Sequence, residues 1–526
     1  MKDARSEPSD VSSVPEDARL DVHVTAAEAW PAFERHVLAA RHEIVAGFRI
    51  FDLSTRLRSP EARAVGEDWF DLLLDALRRG VALRFVLSDF DPVVGTELHG
   101  MTWRTLRQFE AMRELAPPGA ALTVRGSLHP ATVGMLPRLV LWPRVDRMLR
   151  GKAGRLLRMD AGRRARFQAE HPNTARLLMI GDEAAAPRRW PVPPLSPVTH
   201  HQKVAAFDGE VAYVGGLDLN ERRWDTPAHD RSGPDTWHDV QLTVRDSAVA
   251  RALRAHLGEF EAVIAKAAEP SDMGGAILRT LSQRRHFDHI RMSPRPVVTE
   301  IEDALLEAID GAERFVYLET QFLRDRRVAR RLAEAAERAP DLRLLVVLPA
   351  APEDVAFEGN SRVDARLGAF LQYRALSKLR RAFRERVFVA SPARPVTAQH
   401  GGPSVIHGAP LIYVHSKVSV IDDRVAIVGS ANLNGRSLRW DTEVAVTARD
   451  AEAGHIRRRC MGGILGPGTW DADLLDPATA VDAWRALALA NMRTRPEDRR
   501  GFVVPHLLKP AKRFGRDVPG IPEELV

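Results

Sequence analysis

The sequence predicts an α/β protein built from two homologous halves that pack about a pseudo-twofold axis within one chain. Three observations predict it. A strand–helix–strand order appears early in the chain and returns in its second half. The segment His201-Gln202-Lys203, running to Asp208, comes back 214 residues later as His415-Ser416-Lys417, running to Asp422. The chain has 526 residues, 45% hydrophobic and 28% charged, which supplies several cores with an ordinary globular share of charge.

Residues 1–24 are polar, acidic and Pro/Ser-containing, and read as a disordered tail. The first half spans 25–270. Its pattern is helical from Ala26 and then turns into a strand at Ile44-Val45-Ala46-Gly47-Phe48. A helix follows with Trp69, Phe70, Leu72, Leu73 and Leu77 on its apolar side, and Gly80 just past its end is a C-cap signal. Val81 to Leu87 is a short apolar run of strand type, so the sheet is largely buried. Residues 138–166 hold ten Arg or Lys against two acids. Leu141, Trp142, Val145, Met148, Leu149, Leu156 and Leu157 recur there at helical spacing, with Pro143 near the start. This basic amphipathic insertion is expected to favour anionic interfaces, with a solvated surface helix as the plain alternative.

The second half spans 290–490: Phe315 to Leu318 reads as a strand, Val328 to Ala339 as a helix and Leu342 to Leu348 as a strand. The boundary falls in the polar stretch from Glu269 to Arg295, and residues 491–526 read as a Pro-rich, basic, extended tail.

Composition narrows the function classes. Cys460 is the one cysteine, so neither an intrachain disulfide nor a Cys-based zinc site can form, and a reducing compartment fits. The net charge of +6 permits an anionic partner, nucleic acid or membrane. No run of 18 apolar residues predicts a spanning helix, and Met1 to Asp21 lacks a signal-like apolar stretch. A cytoplasmic or peripheral-membrane protein is expected, or one exported by a route that reads no such signal.

Chemistry concentrates in the repeat. His and Lys two apart on a strand share a face. Two such halves about a pseudo-twofold axis bring two imidazoles and two ammonium groups together. That is a site for a phosphate: Lys charges the non-bridging oxygens, and His attacks phosphorus or moves a proton. The match continues past the motif, with Val214-Gly215-Gly216 against Val428-Gly429-Ser430, and Leu219-Asn220 against Leu433-Asn434. One His-x-Lys pair is more often a surface strand; two in register, each with a later acid, point to catalysis. The Lys pair supplies the charge a metal would provide, so no metal and no cofactor are expected.

The double HxKxxxxD pattern resembles the signature of the phospholipase D superfamily. The second copy, with Gly429-Ser430-Ala431-Asn432, is close to that family's form. The first departs from it, with Gly216 for the Ser and Asp218 for the Asn. Tyr317-Leu318-Glu319-Thr320-Gln321-Phe322 is similar to the strand that opens the family's second half. The resemblance implies α-β-α sandwich halves and a catalytic motif of His201, Lys203, Asp208, His415, Lys417 and Asp422. In it His201 is the nucleophile that forms a phosphohistidine, although near-symmetric copies leave the two His roles open to exchange. His415 protonates the leaving alcohol and then activates water. Lys203 and Lys417, helped by Asn432 and Ser430, hold the phosphoryl oxygens. Asp208 and Asp422 complete the motif at strand ends, in structural pairing. Asp239 and Glu443 are the candidates to orient the imidazoles. Trp237, two residues before Asp239, is a candidate to line a substrate pocket, with a core tryptophan an equally good reading. Glu319 and Gln321 read by default as the end of a strand.

The expected function is phospholipase D-type hydrolysis or transphosphatidylation of the head-group phosphodiester. The partner is then phospholipid at a membrane surface, not nucleic acid, and the chain is a monomer with pseudo-dimeric halves. A cardiolipin synthase-like phosphatidyl transferase is the alternative, a nuclease comes after it, and a binding protein with a dead site is disfavoured by the intact His-Lys pairs.

Overall fold

The structure, a computed structural model, describes residues 19–181, 184–285, 289–292 and 294–526. It is a mixed α/β fold with two sheet-rich halves. The first sheet contains β1 (Leu20–Val24), β2 (Glu43–Phe48), β3 (Ala82–Ser88) and β4 (Leu122–Ser127). After a small hairpin of β5 (Leu178–Ile180) and β6 (Ala185–Pro187) it resumes with β7 (Val204–Phe207), β8 (Val211–Gly215) and β9 (Val240–Arg245). Its order is β1-β9-β8-β7-β2-β3-β4, with β2, β3 and β4 parallel and the other pairs antiparallel.

The second sheet begins with β10 (Leu278–Gln283), β11 (Arg295–Thr299), β12 (Phe315–Thr320), β13 (Arg343–Val347) and β14 (Val387–Pro392). A hairpin of β15 (Val405–Ile406) and β16 (Ala409–Pro410) precedes β17 (Lys417–Ile421), β18 (Val425–Gly429), β19 (Glu443–Arg449) and β20 (Val503–Pro505). Its order is β11-β10-β19-β18-β17-β12-β13-β14-β20. The run β9-β8-β7-β2-β3-β4 of one sheet therefore repeats as β19-β18-β17-β12-β13-β14 of the other. Parallel neighbours need crossovers, and amphipathic helices provide them: Trp69–Arg78 and Thr96–Leu115 in the first half, Arg326–Arg338 and Val363–Phe383 in the second.

The central strands are apolar on both faces because both are covered. The first half's outer core gathers Phe33, Phe48, Trp69 and Phe85, and the second's gathers Leu318, Leu332, Val346 and Leu376. The inner faces meet in one shared core, where helices Ser247–Ile264 and Ala451–Leu465 contribute Leu253, Phe260, Ile456 and Met461 beside Val204, Val214, Val418 and Val428. Among the described residues no helix is long and apolar enough to cross a membrane.

Four sequence expectations need correction. Leu20–Val24, placed in the N-terminal tail, is β1: its alternating apolar residues are buried and it pairs with β9. The assigned boundary, Glu269 to Arg295, contains β10, so the second sheet starts ahead of residue 290. The C-terminal stretch is not an extended tail. Val503 and Val504 are buried, β20 edges the second sheet, and Glu523 and Glu524 pair with Arg439. Short apolar and acidic signals inside a Pro-rich, basic stretch were outweighed by its average composition.

The fourth correction concerns the insertion. The helix runs Met135–Leu157, so Pro143 lies within it and not at its start. Its apolar stripe faces the protein: Val145, Leu149 and Leu156 are buried with Val93, Leu178 and Leu195 in a satellite core, and Leu141, Trp142 and Met148 pack against it. Of the predicted stripe only Leu157 is exposed.

Candidate active site

The two His-Lys segments meet where the halves join. His201 N–H donates to Thr442 O (2.8 Å), and His415 N–H donates to His238 O (2.7 Å). Short parallel bridges, His200 with Thr442 and His238 with Val414, thus tie each motif to the chain entering the acid strand of the opposite half. The acids consequently cross over. His201 Nδ1 lies 3.0 Å from Glu443, and His415 Nδ1 lies 2.7 Å from Asp239. Both acids are legible in the sequence, but this crossed pairing is not. The imidazole centroids are 6.5 Å apart, and among the described residues neither Nε2 has a hydrogen-bond partner. The two rings thus stand within reach of one bound group.

Lys203 and Lys417 are buried beside the imidazoles, Lys203 Nζ donating to His201 O (2.6 Å) and Lys417 Nζ to His415 O. Burial, reinforced by the neighbouring cations, pushes both imidazoles well below their usual range, so they stand neutral. Burial also lowers Lys417 to about 7 against the opposing pull of Asp239. It raises Glu443 to about 8, opposed by Lys203.

This electrostatic state has a testable consequence. An oxyanion between the imidazoles offsets the lysine charges, raises the imidazole and Lys417 pKa values, and draws in protons. Sulfate does not titrate near neutrality, so its binding is expected to take up protons and to be weaker at pH 8 than at pH 6. Calorimetry in buffers of different ionisation enthalpy measures the uptake. Affinity unchanged between those pH values would show that these groups do not face the anion.

One motif departure in the first half follows from its acid. A Cβ at Gly216 would collide with Asp239 Oδ1, so the serine of the second copy has no room there. In the second half Ser430 Oγ donates to Glu443 Oε2 (2.5 Å), and Ser430 O lies 3.1 Å from His201 Nδ1. Ser430 therefore positions Glu443 and His201. Asn432 is buried and its Oδ1 lacks a partner among the described residues; that oxygen suits a ligand hydroxyl, whereas a phosphoryl oxygen calls on the amide's Nδ2 donors. Asp208 and Asp422, grouped with the catalytic residues from sequence, lie at the far ends of their strands. Each carboxylate accepts three backbone N–H groups, of Arg41, His42 and Glu43 in one half and of Glu313, Arg314 and Phe315 in the other. Their work is strand registration, away from the site.

Trp237 is buried, not a pocket wall. Its ring packs on His415 (centroids 4.6 Å), its Nε1 donates to Asp239 Oδ2 (3.3 Å), and the Arg223 guanidinium covers it at 3.5 Å. His200 faces away, toward Ser127 and Thr442. Glu319, read as a strand end, is buried and takes contacts from His238 Nε2 (3.0 Å) and Tyr317 OH (2.6 Å).

Arg49, one residue beyond β2, joins the site without having stood out in the sequence. Its Nη1 lies 3.9 Å from Asp218 Oδ2, an oxygen 3.8 Å from Lys203 Nζ, and its Nε is buried without a partner among the described residues. The available signal was position: a charge ending an apolar strand stands at the carboxyl edge of a sheet, where ligands bind in α/β folds. The matching backbone contacts of Asp208 and Asp422 align Arg49 with Gln321, and the motif repeat aligns Asp218 with Asn432. An ion pair in one half thus replaces a neutral pair in the other. Arg49→Gln is expected to lower kcat/KM about 10- to 100-fold, the loss of a charged contact to phosphate. The double variant Arg49→Gln/Asp218→Asn copies the second half and separates the roles. Recovery of the rate in the double variant would show that Arg49 merely balances Asp218.

The comparisons with known proteins agree with this architecture. A family model described as "Cardiolipin synthase, PLD-like domain" matches residues 305–459. Phospholipase D2 of Bos taurus is 29% identical over 266 residues, covering 42% of this chain and 28% of the relative. Phospholipase D A of Dictyostelium discoideum is 25% identical over 345 residues, covering 49% of this chain and 25% of the relative. The chain belongs to the phospholipase D superfamily. The matched stretch spans about a quarter of the length of those two curated superfamily relatives. Phosphatidylserine synthase from Haemophilus influenzae Rd KW20 shares the fold, with a TM-score of 0.50 at 10% identity, covering 90% of this chain and 93% of that one. Among the described residues of this superfamily member no group of three or more His, Cys, Asp or Glu is arranged to hold a metal.

Proposed function

We propose that this protein cleaves the head-group phosphodiester of phospholipids through a phosphohistidine on His201. The observation that carries the reading is the pair of neutral imidazoles 6.5 Å apart, each held at Nδ1 by the other half's acid and open at Nε2. His201 Nε2 attacks phosphorus, the P–O bond to the head group breaks, and His415, protonated as the anionic substrate binds, gives its Nε2 proton to the departing oxygen. Water then enters, His415 takes its proton, and the P–N bond breaks to release phosphatidate and neutral His201. Lys203, Lys417 and the Asn432 Nδ2 donate to the non-bridging oxygens as their charge grows.

A covalent intermediate separates departure of the first alcohol from arrival of the second nucleophile, so occupancy of the acceptor position sets the product. Phosphatidyl transfer is the second reading, favoured by the cardiolipin synthase-type family match. The test is mixed phospholipid vesicles with and without added butanol, products read by mass spectrometry, and plasmid DNA as a parallel substrate. Phosphatidate, partly diverted to phosphatidylbutanol, is the expected result. Two in-line displacements retain configuration at a chiral, isotopically labelled phosphorus, and inversion in the alcohol product would exclude the intermediate. Cleavage of DNA but not lipid would replace the substrate assignment.

A further inference from the structure

The insertion helix buries its predicted apolar stripe, and a different apolar group is left outside. Leu136, Leu139 and Val140 are 53%, 44% and 80% exposed. They follow helical spacing along one outward face, and that face continues into Arg144 and Arg147. Ile290, 73% exposed, lies near this end of the helix, where Leu136 N–H donates to the carbonyl of neighbouring His289 (2.8 Å). Arg144, Arg147, Arg155 and Arg158 are exposed and form no ion pair among the described residues.

The helix leaves the sheet edge that carries the candidate site. Ser127, the last residue of β4, contacts His200 beside His201, and Val133 N–H donates to Leu195 O a few residues upstream of His201. An apolar tip followed by unpaired arginines along one face matches the depth profile of a bilayer surface, with side chains entering the acyl boundary and cations at the phosphate level. Phosphates of a nucleic acid would use the arginines but have no use for exposed Leu139 and Val140.

We infer that the outer face of helix Met135–Leu157, led by Leu136, Leu139 and Val140, docks the protein on anionic phospholipid bilayers. The inference rests on the proposed phospholipid substrate, but binding is measured apart from turnover. Sedimentation with vesicles of phosphatidylglycerol and phosphatidylcholine compares the full chain with Leu139→Ser/Val140→Ser and with Arg144→Gln/Arg147→Gln. Each pair is expected to weaken binding about 10-fold or more, the arginine pair only at low salt. Hydrolysis of soluble bis(p-nitrophenyl) phosphate should stay within about twofold, since neither pair touches the site. Unchanged vesicle binding in the leucine–valine variant would overturn the inference. So would equal loss of soluble turnover, which would assign the segment to the fold, or variant-sensitive binding of duplex DNA with no vesicle binding. Vesicle binding without any lipid cleavage would instead remove the substrate reading and leave the docking face standing.

Discussion

His201→Ala and His415→Ala are each expected to lower turnover by about 1,000-fold or more, to the background of the assay. In the proposed mechanism both imidazoles serve one reaction centre, and groups that act as a unit lose most of their rate when either is removed. The structure makes the dependence mutual. Each ring is anchored by the opposite half, so neither half holds a complete nucleophile–acid pair. A single variant that kept near-wild-type turnover on vesicles would end the shared-site account. Circular dichroism on both variants separates a chemical loss from a folding loss.

Asp239→Asn is expected to lower turnover about 1,000- to 10,000-fold while leaving His201 able to attack. Asp239 Oδ2 lies 2.7 Å from His415 Nδ1, and an amide there favours the wrong tautomer. A substrate with a p-nitrophenol leaving group needs no proton donor, so its first step survives, but breakdown of the intermediate still needs the base. The expected record is a burst of about one nitrophenolate per protein, then a slow phase, with the adduct found on His201 by mass spectrometry. An adduct on His415 would exchange the two roles. Glu443→Gln, which acts on His201, should remove the burst itself.

The motif residues and the repeat were legible because they are local. A His-x-Lys segment running into Val204-Ala205-Ala206-Phe207 or Val418-Ser419-Val420-Ile421 carries chemistry and strand in one short span. The apolar runs that became β2, β3, β12 and β13 were legible because strands covered on both faces are apolar along most of their length. Trp237 was ambiguous because a buried indole and a pocket indole share one sequence. Only its packing on His415 and its bond to Asp239 distinguish them.

By itself the sequence determined that the chain is α/β with two matching halves, and it singled out the two His-Lys pairs. Both follow from residue order and short-range periodicity. Tertiary structure decided the crossing of Asp239 to His415 and of Glu443 to His201, since that depends on bridges between segments far apart in the chain. It decided the presence of Arg49, a position one residue past a strand whose neighbours are Lys203 and Asp218 only after folding. It also decided which face of helix Met135–Leu157 meets solvent. Periodicity shows that a helix has an apolar stripe, but whether protein or something outside covers that stripe depends on what the rest of the chain packs against it.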